Sequence, residues 1–342
     1  MRAAVMRNKA IVVADVPEPV PGPGQVLVET IACGICGSDL HALLHAEKLN
    51  ESAKASGVPF VFDVDRDVVM GHEFSARVKA LGAGVTNVKP GDVVVSMPVV
   101  LSAQGFDGIG YSNNYPGGYA ERMVLSAGLC LNVPEGLDPR HAALTEPMAV
   151  GLHAVAKSGV KQGDAALVLG CGPVGLAVIA ALKLAGIEPI VAADFSAMRR
   201  SLATRVGAHE VVDPRQEAAI AAWQRVDGNR PLVIFEAVGV PGMLDRAIRD
   251  APRAARILVV GVCMEVDAIW PIVGINKELS IQFALGYTPD EFSRTLGHIA
   301  SGDIDVVPLI TGEVGIAGVP EAFRTLGSPD THAKILVEPA LG

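Results

Sequence analysis

The sequence predicts an α/β protein in two parts, a β-rich domain and a doubly wound parallel-sheet domain, on three observations. A chain of 342 residues is long for one ordinary core. Its first half is made of β-branched runs broken by turn signals. After Glu146 the pattern changes to helix and strand in alternation.

In order, "KAIVVADVPEP", "GQVLVETIA", "SARVKALGAGV", "GDVVVSMPVV" and "AERMVLSAGLCLNVPEG" read as irregular, mainly antiparallel strands. From "AVGLHAVAKSG" onward, strands such as "AALVLG", "PIVAAD", "EVVD", "PLVIFEAVG" and "RILVVGV" alternate with helical runs, the pattern of βαβ units around a parallel sheet. The helical "PDEFSRTLGHIASG" and the strand "AKILVEP" are too little for a third domain and are expected to return to the first. The expected domains are therefore 1–148 with 286–342, and 149–285.

Composition excludes several classes. Half the residues are hydrophobic and the net charge is -9, with no Lys/Arg run to track a phosphate backbone, so neither nucleic acid nor an anionic membrane is an expected partner. Five irregularly spaced cysteines do not make a disulfide framework, and the charged start "MRAAVMRNKAIVV" is no signal peptide; a cytoplasmic setting is expected. The uncharged "AALVLGCGPVGLAVIAAL" is long enough to span a bilayer, but its glycines and Pro173 read better as strand, turn and buried helix.

That stretch also carries chemistry. Gly170, Gly172 and Gly175, with Pro173 and Val174 between them, lie between a strand and a helix, and Asp194 ends the next strand roughly twenty residues on. The glycines permit a sharp turn and close approach of a pyrophosphate to the helix N-terminus. Asp194 would accept the adenosine ribose hydroxyls and repel a 2′-phosphate, so NAD is expected rather than NADP. Arg199 and Arg200 complicate this, because an arginine there can meet a phosphate; otherwise they form a solvated helix face.

"ACGICGSDLH" places Cys33 and Cys36 at C-x-x-C spacing. A redox pair belongs in a thioredoxin-like βαβ setting, and a structural zinc needs four ligands, for which no second such pair exists. A catalytic zinc needs three protein ligands and an open position. Cys36, His72, Glu73 and Glu146 are the candidates.

In family order, "GICGSDLH", "GHEF", "GDVVV", "GGYAE", "EPMAVGLHA" and "GCGPVG" make the chain resemble the zinc-dependent medium-chain dehydrogenase/reductase superfamily of alcohol and polyol dehydrogenases, over nearly its whole length. The resemblance implies a GroES-like catalytic domain split around a Rossmann NAD-binding domain, with the active site between them. It implies that Cys36 and His72 ligate zinc, with Glu146 where the polyol branch has glutamate and Glu73 able to enter or leave the coordination sphere. Asp39 would fix the ring of His72. Ser38 would take the alcohol proton and His41 would end a relay to solvent, although Ser38 also suits a helix N-cap. His45 and His153 read as ordinary helix residues. The expected activity is interconversion of a polyol or secondary alcohol with its aldehyde or ketone. The alternatives are a zinc-free quinone or enoyl reductase of the same superfamily, or a non-catalytic nucleotide-binding protein.

Two departures from the family pattern stand out. "SMPVVLSAQGFDGIGYSNNYPGGYAE" lacks the four cysteines of a structural zinc lobe, so one catalytic ion per chain and no structural zinc is expected. The span from Cys36 to His72 is long, and its 44–68 segment reads as a lid, a binding loop or a surface loop. Phe60, Val61, Phe62, Phe106 and Tyr111 are candidates to line a pocket for a bulky secondary alcohol. The strand-like "ELSIQFAL" resembles the family's subunit-contact strand, implying a homodimer or homotetramer.

Overall fold

The computed structural model describes residues 1–58, 61–102, 105–328 and 330–342. Phe60, one of the suggested pocket residues, lies outside them. The chain begins with β1 (Arg2–Arg7), β2 (Ala10–Asp15), β3 (Gln25–Gly34), α1 (Gly37–Ser56), β4 (Glu73–Leu81), β5 (Val93–Ser96), β6 (Val99–Ser102), β7 (Gly105–Gly108), β8 (Arg122–Ser126), β9 (Cys130–Asn132) and α2 (Pro139–Ala142). There follow α3 (Thr145–Ser158), β10 (Ala165–Leu169), α4 (Pro173–Leu184), β11 (Ile190–Ala193), α5 (Ala197–Val206), β12 (Glu210–Val212), α6 (Ala219–Asp227), β13 (Leu232–Glu236), α7 (Met243–Asp250), β14 (Arg256–Val259), α8 (Pro271–Lys277), β15 (Ser280–Phe283) and α9 (Pro289–Ser301). Last come β16 (Ile310–Val314), α10 (Val319–Leu326) and β17 (Lys334–Val337).

These elements form two compact units: Met1–Glu146 with Ile310–Ser328 and Lys334–Gly342, and Pro147–Leu309 with 330–333. In the first, among the described residues, a seven-stranded sheet runs β16-β17-β3-β4-β5-β9, with β8 also paired to β3. Its centre, β3, is rich in β-branched and small apolar residues and is largely buried along its length, as a strand covered on both faces must be. Register then does the positioning. Gly34 at the end of β3 lies opposite Glu73 at the start of β4 and Leu336 of β17, so three strand ends far apart in sequence meet at one corner of the sheet.

The motif glycines close that corner. A Cβ at Gly71, whose φ is +100°, or at Gly118 would stand 2.9 or 2.5 Å from the Cys33 sulfur, and one at Gly117 would stand 2.4 Å from the Gly71 carbonyl oxygen. "GHEF" and "GGYAE" are thus two loops packed on each other and on a buried thiol. Tyr119, Phe74, Met70 and Ile35 fill the core behind them, each large apolar side chain contributing about 1.5–3 kcal/mol by burial.

The second unit is a wholly parallel sheet in the order β12-β11-β10-β13-β14-β15, the 3-2-1-4-5-6 arrangement of a dinucleotide-binding domain. The membrane-like stretch is β10, a turn and α4; among the described residues no helix is long and apolar enough to cross a membrane. Residues 286–309 group with this unit, whereas the sequence reading put them in the first. The cause is local. Thr288 and Glu291 form a capping box at the start of α9, and the same Glu291 carboxylate lies 2.9 Å from His153 Nδ1 on α3.

The 44–68 segment is not a simple loop, since α1 continues through it to Ser56, bent at His45, which has non-helical φ −131° and ψ 35°. The cysteine-free span between β5 and β8 includes β6 and β7, which pair antiparallel.

Candidate active site

Cys36 follows β3 and serves as N-cap of α1, His72 precedes β4, and Glu73 begins it. The β3–β4 register therefore brings them together, and one donor atom from each lies within 4.8 Å of the others. A sulfur, an imidazole nitrogen and a carboxylate oxygen at this separation suit zinc, which accepts all three ligand types. Cys33 stands outside the group. It is fully buried, and burial together with the charges of Glu73 and Asp39 pushes its thiol well up, which keeps it protonated and inert.

Behind His72 lies Asp39, a buried carboxylate with a full set of donors. It accepts the Tyr119 hydroxyl at 2.5 Å, the Tyr111 hydroxyl at 2.8 Å and the Cys36 backbone N–H at 3.2 Å. Burial alone would raise its pKa, but the charge of His72 and these hydrogen bonds hold it below the ordinary aspartate range. His72 Nδ1 is 3.4 Å from Asp39 Oδ1, buried and without a made hydrogen bond. With Nδ1 held protonated towards Asp39, a metal would take the place of the Nε2 proton, the usual arrangement of a ligating histidine. The residues present therefore fit the metal.

Sequence reasoning missed Lys334. Its Nζ lies 2.7 and 2.6 Å from the two oxygens of Glu73 and 3.1 Å from the Ile35 carbonyl oxygen, and both side chains of the pair are buried. Burial lowers the affinity of Lys334 for its proton, but the charges of Glu73, Cys36 and Glu146 outweigh this and leave its pKa raised. Gly34 makes room for the pair, because a Cβ there would sit 2.0 Å from Glu73 Oε2. The only signal in the sequence is a lysine opening a buried strand. Glu146, in the first turn of α3, is felt electrostatically by Lys334 but is not among the three donors within 4.8 Å.

Ser38 is not the N-cap of α1, a place taken by Cys36; its hydroxyl is 2.9 Å from that of Tyr111. His41 is half-buried one turn on, its pKa lowered by burial and by His45. Of the suggested pocket residues, Val61 and Phe106 are exposed, while Phe62 and Tyr111 pack into the wall beside His72.

In the second unit Gly170 adopts φ +89°, and a Cβ at Gly175 would meet the Gly170 carbonyl oxygen at 1.9 Å. Gly172 is the N-cap of α4 and Pro173 its first residue, leaving Val174 and the free N–H groups of the first turn open to an anion. Asp194 accepts the N–H of Cys171 and of Ser196, both at 2.8 Å, which fixes its carboxylate at the end of β11. The arginines are not a solvated face. Arg200 Nη1 donates to the Asp194 and Phe195 carbonyl oxygens at 2.8 and 2.9 Å and lies 3.3 Å from Asp213. The guanidinium of Arg199 faces Gly172, with Nε buried and without a partner. A cradle only glycine permits and an orphaned arginine nitrogen beside it fit a nucleotide cofactor.

Residues 22–135 match the alcohol dehydrogenase GroES-like domain family and residues 173–301 the zinc-binding dehydrogenase family. The chain is 34% identical to (R,R)-butanediol dehydrogenase of Bacillus subtilis, over 99% of this chain and 100% of that protein. It is 29% identical to sorbitol dehydrogenase of Bos taurus, over 95% and 94%. The crystal structure of 2R,3R-butanediol dehydrogenase from Bacillus subtilis superposes with a TM-score of 0.84, covering 99% of each chain. A GroES-like sheet carrying a metal-ligand set and a parallel sheet carrying a nucleotide loop, in a chain so similar end to end, make this protein a member of the zinc-dependent medium-chain dehydrogenase/reductase superfamily, an oxidoreductase acting on CH–OH groups.

Proposed function

We propose that the protein is an NAD-linked dehydrogenase, holding one zinc per chain, that interconverts the secondary alcohol of a small diol or polyol with its ketone. The observation that carries this reading is the convergence of Cys36, His72 and Glu73 within 4.8 Å, in a chain whose relatives are named for diols and polyols. Cys36 and His72 are the proposed constant ligands, with Glu73, whose two oxygens are engaged by Lys334, and Glu146 as the carboxylates that exchange at the metal. When bound, zinc supplies a Lewis acid that lowers the pKa of the substrate hydroxyl, and NAD supplies the hydride acceptor.

The chain's own residues do the rest. Ser38 Oγ takes the substrate's hydroxyl proton as it releases its own towards the half-buried His41, which passes a proton on to solvent. Asp39 holds the His72 ring in the tautomer that ligates. Gly170, Gly172, Pro173, Val174 and Gly175 cradle the pyrophosphate, Asp194 takes the adenosine ribose hydroxyls, and Arg199 supplies a cation beside the loop. The anionic Asp194 favours NAD over NADP. No cysteine between Met97 and Arg122 is available for a structural zinc lobe. The free thiols suit a reducing cytoplasm, and a homodimer or homotetramer is the proposed assembly.

The test is NADH absorbance over a panel of butane-2,3-diol, sorbitol and simple secondary alcohols, with NAD or NADP, before and after zinc is stripped by a chelator. NAD-linked turnover of a diol or polyol that is lost with the zinc and restored by adding it back supports the proposal. Turnover indifferent to zinc, or confined to enones and quinones, contradicts it.

A further inference from the structure

Beyond the first turn of α1, the long span between Cys36 and His72 reaches the catalytic corner again at Phe62. Asn50 on α1 donates to the Phe62 carbonyl oxygen at 2.7 Å and accepts the Phe62 N–H at 3.2 Å. Asn113 does the same for the next residue, accepting the Asp63 N–H at 2.7 Å and donating to its carbonyl oxygen at 3.1 Å. Two side-chain amides thus stand in for a β ladder and press Phe62, which is buried, against the Tyr111 ring, with centroids 6.5 Å apart and planes 24° apart. Tyr111 in turn lies 5.4 Å from the ring of His72.

The Tyr111 hydroxyl has one proton and two close neighbours, Asp39 Oδ1 at 2.8 Å and Ser38 Oγ at 2.9 Å. An ionised carboxylate only accepts, so the phenolic proton points at Asp39. The contact with Ser38 is then a hydrogen bond only if the serine donates to the phenolic oxygen, which leaves the lone pairs of Ser38 for an incoming hydroxyl. We infer that Tyr111 is a positioning residue that fixes Ser38 Oγ as an acceptor for the substrate hydroxyl and anchors Asp39 behind His72. Tyr111 keeps its own proton, so Ser38 takes the substrate's proton only as it turns its own away from this contact and releases it towards the relay that ends at His41; Asn50 and Phe62 brace the Tyr111 ring. The inference rests on the proposed role of Ser38.

Tyr111→Phe keeps both ring contacts and removes only the hydroxyl. The expected result is a folded variant with a slightly lowered melting temperature, a fall in kcat of about tenfold with KM little altered, and zinc affinity weakened about tenfold in competition with a chromophoric chelator, the lower end for loss of one outer partner. In a Ser38→Ala background, with zinc saturating so that the hold on Asp39 does not enter, Tyr111→Phe should lower kcat no further, the signature of two residues acting as a unit. Wild-type turnover in Tyr111→Phe, losses that multiply in the double variant, or unfolding of this ring-conserving variant would each overturn the inference. If the wild type oxidises no diol or polyol, the proposed function fails. The zinc competition then decides alone: unchanged affinity in Tyr111→Phe overturns the inference, and weakened affinity supports the hold on Asp39.

Discussion

Lys334 stands 261 residues from Glu73 in sequence, yet the two share a buried ion pair. A buried pair is a weak source of stability when intact, because both ions lose their hydration, but removing one partner strands a charge in a medium that cannot solvate it. Lys334→Met should therefore cost the zinc-free protein about 3–5 kcal/mol in denaturant unfolding. A loss under about 1 kcal/mol, the scale of an exposed pair, would mean that Glu73 finds solvent or another cation. At this scale the sequence was half legible. Cys36, His72 and Glu73 are chemically distinctive residues inside tight motifs. Lys334 and the Tyr111 hydroxyl gain their meaning only from strand register and ring packing, which residue type does not reveal.

Among the elements, strands and helices of the parallel sheet could be read from period and length, because each is a buried apolar run bounded by glycine or a cap. The helix α1 was obscured by its bend at His45 and by a run of Ala, Lys, Glu and Ser that also suits a surface loop. Among the described residues the edge strand β15 has one side unpaired; its last residue Phe283 and the following Leu285 are 64% and 79% exposed, and Ile275 on α8 and its N-cap Trp270 are exposed too, with no residue of α8 buried. An open apolar edge of this kind invites pairing with a second copy of the same chain. Light scattering should give a dimer or tetramer at micromolar concentration, and Phe283→Glu should shift it towards monomer. A monomeric wild type would remove the proposed assembly.

For the molecule as a whole, the division into a GroES-like unit and a parallel-sheet unit was legible from the change of pattern after Glu146. The fate of residues 286–309 was not. They group with the parallel-sheet unit, where α9 buries Phe292, Leu296 and Ile299 and Glu291 meets His153, packing that local sequence pattern does not reveal. The same logic governs "ACGICGSDLH": its two cysteines are alike as letters, and only the sheet corner separates a thiol sealed under Gly71 and Gly118 from one that faces His72 and Glu73. The most direct measurement is zinc content by elemental analysis, taken with turnover, for the wild type, Cys36→Ser and Cys33→Ser. One zinc per chain in the wild type, lost with activity in Cys36→Ser and retained with activity in Cys33→Ser, is the expected result. Two tightly bound zincs per chain, or equal loss of metal in both variants, would contradict the account.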